Sequence, residues 1–168
     1  MKVAIYTLGC KVNQYETQAM EQTLRAKGHQ VVEFSDEADA YVVNTCSVTA
    51  VSDQKSRQVI HRVKKQHPDA VVAVCGCYSQ THADDVRALG VDLLSGTGDR
   101  QGFLDLLEEA VVQRRPIEAL DRSFDRRIFE VLPAGGMTER TRAMLKVEDG
   151  CVNFCTYCII PYARGPVR

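Results

Sequence analysis

The sequence predicts an α/β fold, a doubly wound parallel sheet of five strands in the order 2-1-3-4-5. Two observations carry this. Short apolar runs alternate with amphipathic segments from the N-terminus to about residue 111, and no internal repeat interrupts them. Alternation of this kind places helices on both faces of a parallel sheet. With 168 residues, 45% of them hydrophobic, the chain has room for one buried core of ordinary size plus a further segment.

Each element follows from its pattern. Val3 to Leu8 reads as a buried strand, and Val12, Tyr15, Ala19, Met20 and Leu24 form a helical stripe that ends near Gly28. Val31 to Phe34 is a second short strand and Ala40 to Asn44 a third. A helix from about Thr49 carries the stripe Val51, Val59, Ile60 and Val63 and closes at His67-Pro68. Ala70 to Cys75 makes a fourth strand, followed by a helix to about Leu89, and Val91 to Leu94 a fifth. Asp99 then caps a helix whose face is Phe103, Leu106, Leu107, Ala110 and Val111.

Residues 1–115 are therefore read as one domain. Residues 116–140, with Pro133 and Gly135-Gly136, read as a linker. Ala143 to Val147 reads as a new strand leading into a cysteine loop, so residues 141–168 are expected to begin a second domain. A complete (β/α) barrel there would need on the order of 200 more residues. The formal charge of −1 hides an asymmetry: residues 1–110 hold 11 Lys and Arg against 15 Asp and Glu, and residues 111–168 hold 10 against 7. A basic second part permits a nucleic-acid partner. No stretch reaches the roughly 18 apolar residues of a membrane span, and the N-terminal apolar run is too short for a signal-peptide core, so a cytoplasmic location is expected.

The seven cysteines carry the chemistry. In a reducing compartment they are metal ligands or buried thiols rather than disulfides. Cys10, Cys46 and Cys77 each lie just past the end of a predicted strand, the first, third and fourth, which are neighbours in the predicted order. Their loops flank the crevice where such sheets bind ligands. Three thiolates at one sheet edge suit an iron–sulfur cluster or zinc. Cys75 ends the apolar run AVVAVC and reads as a core residue. Cys151, Cys155 and Cys158 form a C-x₃-C-x₂-C loop. A structural zinc site normally takes four protein ligands, whereas a 4Fe–4S cluster on three thiolates leaves one iron open. A loop cut off from most of its barrel is also expected to be the least protected part of the metal-free chain.

The C-x₃-C-x₂-C spacing, with Tyr157 immediately before its last cysteine, resembles the signature of the radical S-adenosylmethionine enzymes. The resemblance implies that the open iron chelates S-adenosylmethionine, that reductive cleavage gives a 5′-deoxyadenosyl radical, and that Tyr157 lies against the adenine. TLGCKVNQYE at 7–16, NTCSVT at 44–49, KSRQ at 55–58, GCYSQ at 76–80 and PYARG at 161–165 together resemble the methylthiotransferases of that class. By that resemblance Cys10, Cys46 and Cys77 hold an auxiliary 4Fe–4S cluster, and Cys151, Cys155 and Cys158 hold the radical 4Fe–4S cluster at the start of an incomplete radical-S-adenosylmethionine (β/α) barrel. GCKVN, and NTCSVT followed by KSRQ, look most like the branch that places a methylthio group on C2 of N6-threonylcarbamoyladenosine at tRNA position 37. Branches acting on isopentenyladenosine tRNA and on a ribosomal-protein aspartate rank second and third. The implied partners are tRNA and an electron donor, and a chain ending at residue 168 is expected to be inactive alone. An alternative of another class is a non-catalytic thiolate module holding iron–sulfur or zinc.

Other features carry less. Gly96-Thr97-Gly98-Asp99 reads as a turn with a helix cap rather than an anion cradle. Lys55, Arg57, Arg62, Lys64 and Lys65 share a helix and read as a solvated face. His29, His61, His67 and His82 have no ligand spacing, and the sequence offers no hydrolytic triad or carboxylate pair.

Overall fold

The computed structural model describes residues 1–133 and 144–168. Its centre is a parallel sheet in the order β2-β1-β3-β4-β5-β6, formed by β1 Lys2–Thr7, β2 Gln30–Val32, β3 Ala40–Thr45, β4 Val71–Gly76, β5 Leu93–Ser95 and β6 Ile117–Ala119. The helices are α1 Lys11–Ala26, α2 Ala50–Gln66, α3 Cys77–Thr81, α4 Ala83–Ala88, α5 Arg100–Gln113 and α6 Ile160–Arg164, with a 3₁₀ turn at Ser123–Asp125.

Central strands β3 and β4 are buried at every residue. Their apolar runs, Ala40–Val43 and Val71–Cys75, follow from cover on both faces. On one face Met20 and Leu24 of α1 and Phe103, Leu104 and Leu107 of α5 pack on Val3, Val42, Ala73 and Cys75. On the other, Val59, Ile60 and Val63 of α2 and Val86 of α4 pack on Ala4, Tyr41, Val43, Val72 and Val74. Thr49 caps α2 by accepting from the Ser52 amide, and Asp99 caps α5 by accepting from Gly102, as its position implies. No helix among the described residues is long and apolar enough to cross a membrane.

Three expectations are corrected. The sheet has six strands, not five: Ile117–Ala119 lies inside the stretch read as linker and pairs with β5 in the register Leu93↔Ile117, Leu94↔Glu118, Ser95↔Ala119. Three residues are too few for a period-2 signal, and tertiary pairing decides them. The helix expected through Leu89 is two, because His82 leaves helical geometry at φ −132°, ψ 49°. The strand expected at Ala143 to Val147 does not form over Met144–Val147, and Ala143 and Gly135-Gly136 lie outside the described residues. Leu145 and Val147 face solvent while Lys146 turns inward, and no described strand lies alongside to pair with them. The described residues thus contain no barrel.

The flanks of the cysteine loop pack on the sheet domain. Pro161, Ala163, Arg164 and Asp149 are buried, and the Thr97 hydroxyl donates to the Ala163 carbonyl at 2.5 Å. Asp149 and Arg168 exchange both backbone hydrogen bonds at 3.0 Å, and the Cys151 amide donates to the Gly165 carbonyl at 3.0 Å. A backbone clasp therefore closes the base of the cysteine loop.

Gly76 turns the chain out of β4 with φ +105°, and a Cβ there would stand 2.4 Å from the Thr45 carbonyl oxygen and 2.7 Å from Asn44 Oδ1. Gly28 has φ +84° but open space around it. Gly28→Ala should cost only the left-handed strain of about 1–2 kcal/mol. Gly76→Ala should cost more, because fixed backbone must move as well, and urea unfolding of the two variants side by side measures the difference.

Candidate metal centre

The parallel register brings the first three cysteines to one edge. Thr7 pairs with Asn44, and Thr45 with Gly76, so the chain leaves β1, β3 and β4 side by side. Cys46 follows β3 directly and Cys77 follows β4 directly, opening α3, while Cys10 sits at the N-cap of α1. Gly9, at φ +100°, is what lets the first loop approach the second: a Cβ there would lie 2.6 Å from both Cβ and Sγ of Cys46. Cys46 and Cys77 are buried, Cys10 is exposed, and all three are free thiols.

Burial pushes the Cys77 thiol up to about 11; the Arg164 guanidinium opposes the rise, and Glu16, Cys10 and Cys46 reinforce it. Cys75 is pushed up to about 11 as well, again by burial first. Acidity therefore does not separate the two, and position does. Cys75 is wholly enclosed between α1 and α5, whereas Cys77 stands at the edge with the other two. Among the described residues no three His, Cys, Asp or Glu side chains are already drawn into metal-holding geometry. The donor chemistry nevertheless fits a thiolate-ligated centre: three soft ligands, close loops permitted by two positive-φ glycines, and a neighbouring guanidinium.

The second triad lies on the clasped loop. Cys155 is exposed, and Cys151 and Cys158 are half-buried. The Cys158 amide donates to the Cys155 carbonyl at 3.0 Å and the Asn153 amide points to Cys151 Sγ at 3.4 Å. Tyr157 is 90% exposed. Phe154, within the loop, stacks with Phe124 at 6.2 Å and meets Tyr162 edge-on at 5.8 Å.

Between the triads lies a buried charge network that sequence reasoning missed. Glu16, 1% exposed, receives Arg100 Nη2 at 3.1 Å, Lys146 Nζ at 3.1 Å and Arg164 Nη1 at 2.8 Å. Asp149 receives Lys146 and Arg168, each at 2.9 Å, and Arg164 at 3.0 Å. Burial alone would raise the Glu16 carboxyl, but Arg100, Arg164 and Lys146 together hold it well below the usual carboxylate range. Asp149 is lowered in the same way against its own burial, by Arg164 and Lys146. One signal was available: Glu16 falls four residues after Val12 and four before Met20, an acid on the apolar stripe of α1.

The lesser features resolve simply. The Gly96–Asp99 turn is filled by Arg126, which bonds Thr97 Oγ1 and, at 2.7 Å, Gln80 Oε1. On α2, Lys64 pairs with Asp92 at 3.2 Å and Arg57 donates to the Tyr78 hydroxyl at 2.9 Å, while Lys55, Arg62 and Lys65 are exposed.

Residues 2–96 match the family model described as "Uncharacterized protein family UPF0004". The chain is 47% identical over 167 residues to "Threonylcarbamoyladenosine tRNA methylthiotransferase MtaB" of Bacillus subtilis, covering 99% of this chain and 37% of that protein. It is 41% identical to the protein of the same name from Aquifex aeolicus, covering 100% and 41%. It is 35% identical to "tRNA-2-methylthio-N(6)-dimethylallyladenosine synthase" of Sulfurihydrogenibium, covering 100% and 40%. The chain thus spans well under half the length of these relatives. Among solved structures, the isolated REC domain of RcsB from Salmonella enterica shares the fold with a TM-score of 0.52 at 14% identity, covering 71% of this chain and 93% of that one.

The charge network predicts acid sensitivity with a definite sign. Glu16 and Asp149 titrate lower in the folded than in the unfolded chain, so their stabilisation is complete above the ordinary carboxylate pKa of about 4 and is lost as pH falls through the lowered folded values. Denaturant midpoints should decline progressively below about pH 4. Glu16→Gln, which strands buried cations, should cost about 3–5 kcal/mol at pH 7 and flatten that acid slope.

Proposed function

The chain belongs to the family described as Uncharacterized protein family UPF0004, and from that premise we propose that it is the N-terminal part of a tRNA methylthiotransferase that modifies C2 of N6-threonylcarbamoyladenosine at position 37. The observation that carries the reading is the delivery of Cys10, Cys46 and Cys77 to one sheet edge by adjacent strands, with the segment bearing Cys151, Cys155 and Cys158 docked beside it. Two similar proteins named threonylcarbamoyladenosine tRNA methylthiotransferases support the substrate branch. The 35% identity to a dimethylallyladenosine synthase keeps isopentenyladenosine tRNA as the second reading.

In this proposal Cys10, Cys46 and Cys77 hold an auxiliary 4Fe–4S cluster and Cys151, Cys155 and Cys158 a second one, with S-adenosylmethionine at the latter. When bound, these groups supply one-electron chemistry and sulfur for insertion at an unactivated C–H. The chain's own residues bind and shield. Burial of Cys46 and Cys77 keeps water from that side of the auxiliary site, and Gly9 and Gly76 allow the ligand loops to close on it. The reading assigns Tyr157, exposed beside Cys158, to stack on the adenine of S-adenosylmethionine. Residues 1–115, their sheet completed by β6, form the auxiliary-cluster domain, residues 116–140 carry the connection onward, and 141–168 open the radical-enzyme domain. The whole protein acts on tRNA in the cytoplasm with an external electron donor, and residues 1–168 alone are inactive.

Mass spectrometry of tRNA nucleosides from cells with and without the full-length gene tests the reading: the methylthio-threonylcarbamoyl nucleoside should vanish, whereas loss of a methylthio-isopentenyl nucleoside instead moves the assignment to the second branch. Ligand identity is tested in protein whose second triad has been replaced by alanine. Cys77→Ala should then abolish bound iron, while Cys75→Ala should keep the iron and visible absorption and cost only about 1 kcal/mol of packing.

A further inference from the structure

We propose that Arg164 is a positioning residue, registering the segment that carries the second cysteine triad against the sheet edge that carries the first. Its guanidinium reaches both sides. Toward the first triad, Nη2 donates to Asn13 Oδ1 at 2.9 Å, and Asn13 Nδ2 in turn donates to the Leu8 carbonyl at 2.8 Å and the Thr45 carbonyl at 2.9 Å. Leu8 and Thr45 immediately precede the stretches that present Cys10 and Cys46, so one amide fixes both loops and one arginine reads that amide. Nη1 donates to Glu16 Oε1 at 2.8 Å, which anchors the same arginine to α1.

Toward the second triad the connection is equally short. Nη1 also reaches Asp149 Oδ1 at 3.0 Å, two residues before Cys151. The next residue along from Arg164, Gly165, accepts the Cys151 amide through its carbonyl at 3.0 Å. Gly165 at φ +83° has no room for a side chain, since a Cβ would stand 1.9 Å from the Ser123 carbonyl oxygen. A shift of Arg164 therefore moves Cys151 with it. Five donors in a rigid planar fork are what such a junction needs, and an ammonium on a flexible stem reaches Asn13, Glu16 and Asp149 together far less well.

Burial of the network points the same way. Arg100, Lys146, Arg164 and Arg168 pair with Glu16 and Asp149, and all six side chains are at least nine-tenths buried. Removing Arg164 therefore withdraws a charged partner from two buried carboxylates at once.

The inference rests on the reading of the six cysteines as two cluster sites, and the test separates the two claims. Full-length protein, anaerobically reconstituted with iron and sulfide, is compared with its Arg164→Gln and Arg164→Lys variants. The readouts are iron per chain, spin–spin interaction between the two reduced clusters by electron paramagnetic resonance, and amide exchange at Cys151 and Gly165 in metal-free protein. Wild type should hold two interacting clusters. Arg164→Gln should keep its iron but lose the interaction, and exchange at the two amides should quicken by roughly tenfold or more, the factor carried by one charge-assisted hydrogen bond. Arg164→Lys, which keeps the charge and so the fold, should restore the interaction only in part. Wild-type behaviour in either variant, or two clusters in wild type without interaction, overturns the assignment of Arg164. Failure of wild type to bind two clusters overturns the cysteine reading, and the metal-free exchange rates still judge Arg164 on their own.

Discussion

A carboxylate withdrawn from water at Glu16 constrains much of what surrounds it. Left unpaired, it would cost several kcal/mol, so the fold must bring cations to it from wherever the chain can supply them. It draws Arg100 from α5, Lys146 from the irregular segment and Arg164 from α6. Three elements far apart in sequence are thereby tied to one turn of α1, the helix that starts just after Cys10. The segment 144–168 is held on the sheet domain largely by this demand, since it adds few apolar residues to the core.

The thiol edge is built from simpler materials. Parallel pairing fixes where β1, β3 and β4 end, and side-chain bulk is removed at Gly9 and Gly76, where loops have to touch. Gly76 also breaks the alternation of β4. In an unbroken strand Cys75 and Cys77 would point to the same face. The positive φ between them leaves Cys75 among Phe103, Leu104 and Leu107 while Cys77 begins a helix at the rim.

Local pattern and the order of the first five strands were legible, and long-range side-chain pairing was not. The apolar runs Ala40–Val43 of β3 and Val71–Cys75 of β4, the stripe of α1 and the Asp99 cap were readable because burial and hydrogen bonding there follow from residues within one or two turns. The edge shared by Cys10, Cys46 and Cys77 was readable because strand order converts sequence separations into neighbours. Ile117–Ala119 was unreadable as a strand, since its only support is β5, and Met144–Val147 looked like a strand but has no described partner. The Glu16–Arg164 pair joins residues 148 apart. Nothing in the periodicity around either residue announces the other, and only the out-of-place acid on the α1 stripe hinted that a cation must arrive.

The reciprocal Asp149–Arg168 bonds bear on how the second triad would meet a metal. A free tail must lose most of its conformational entropy at the moment three thiolates converge, and that loss is subtracted from the binding free energy. Here the ends of the loop already meet, and residues 160–164 are already helical within it. Much of the ordering cost is thus charged to folding rather than to metallation. The loop acts as a noose already closed at its base, so chain entropy would take a smaller share of its affinity for a metal.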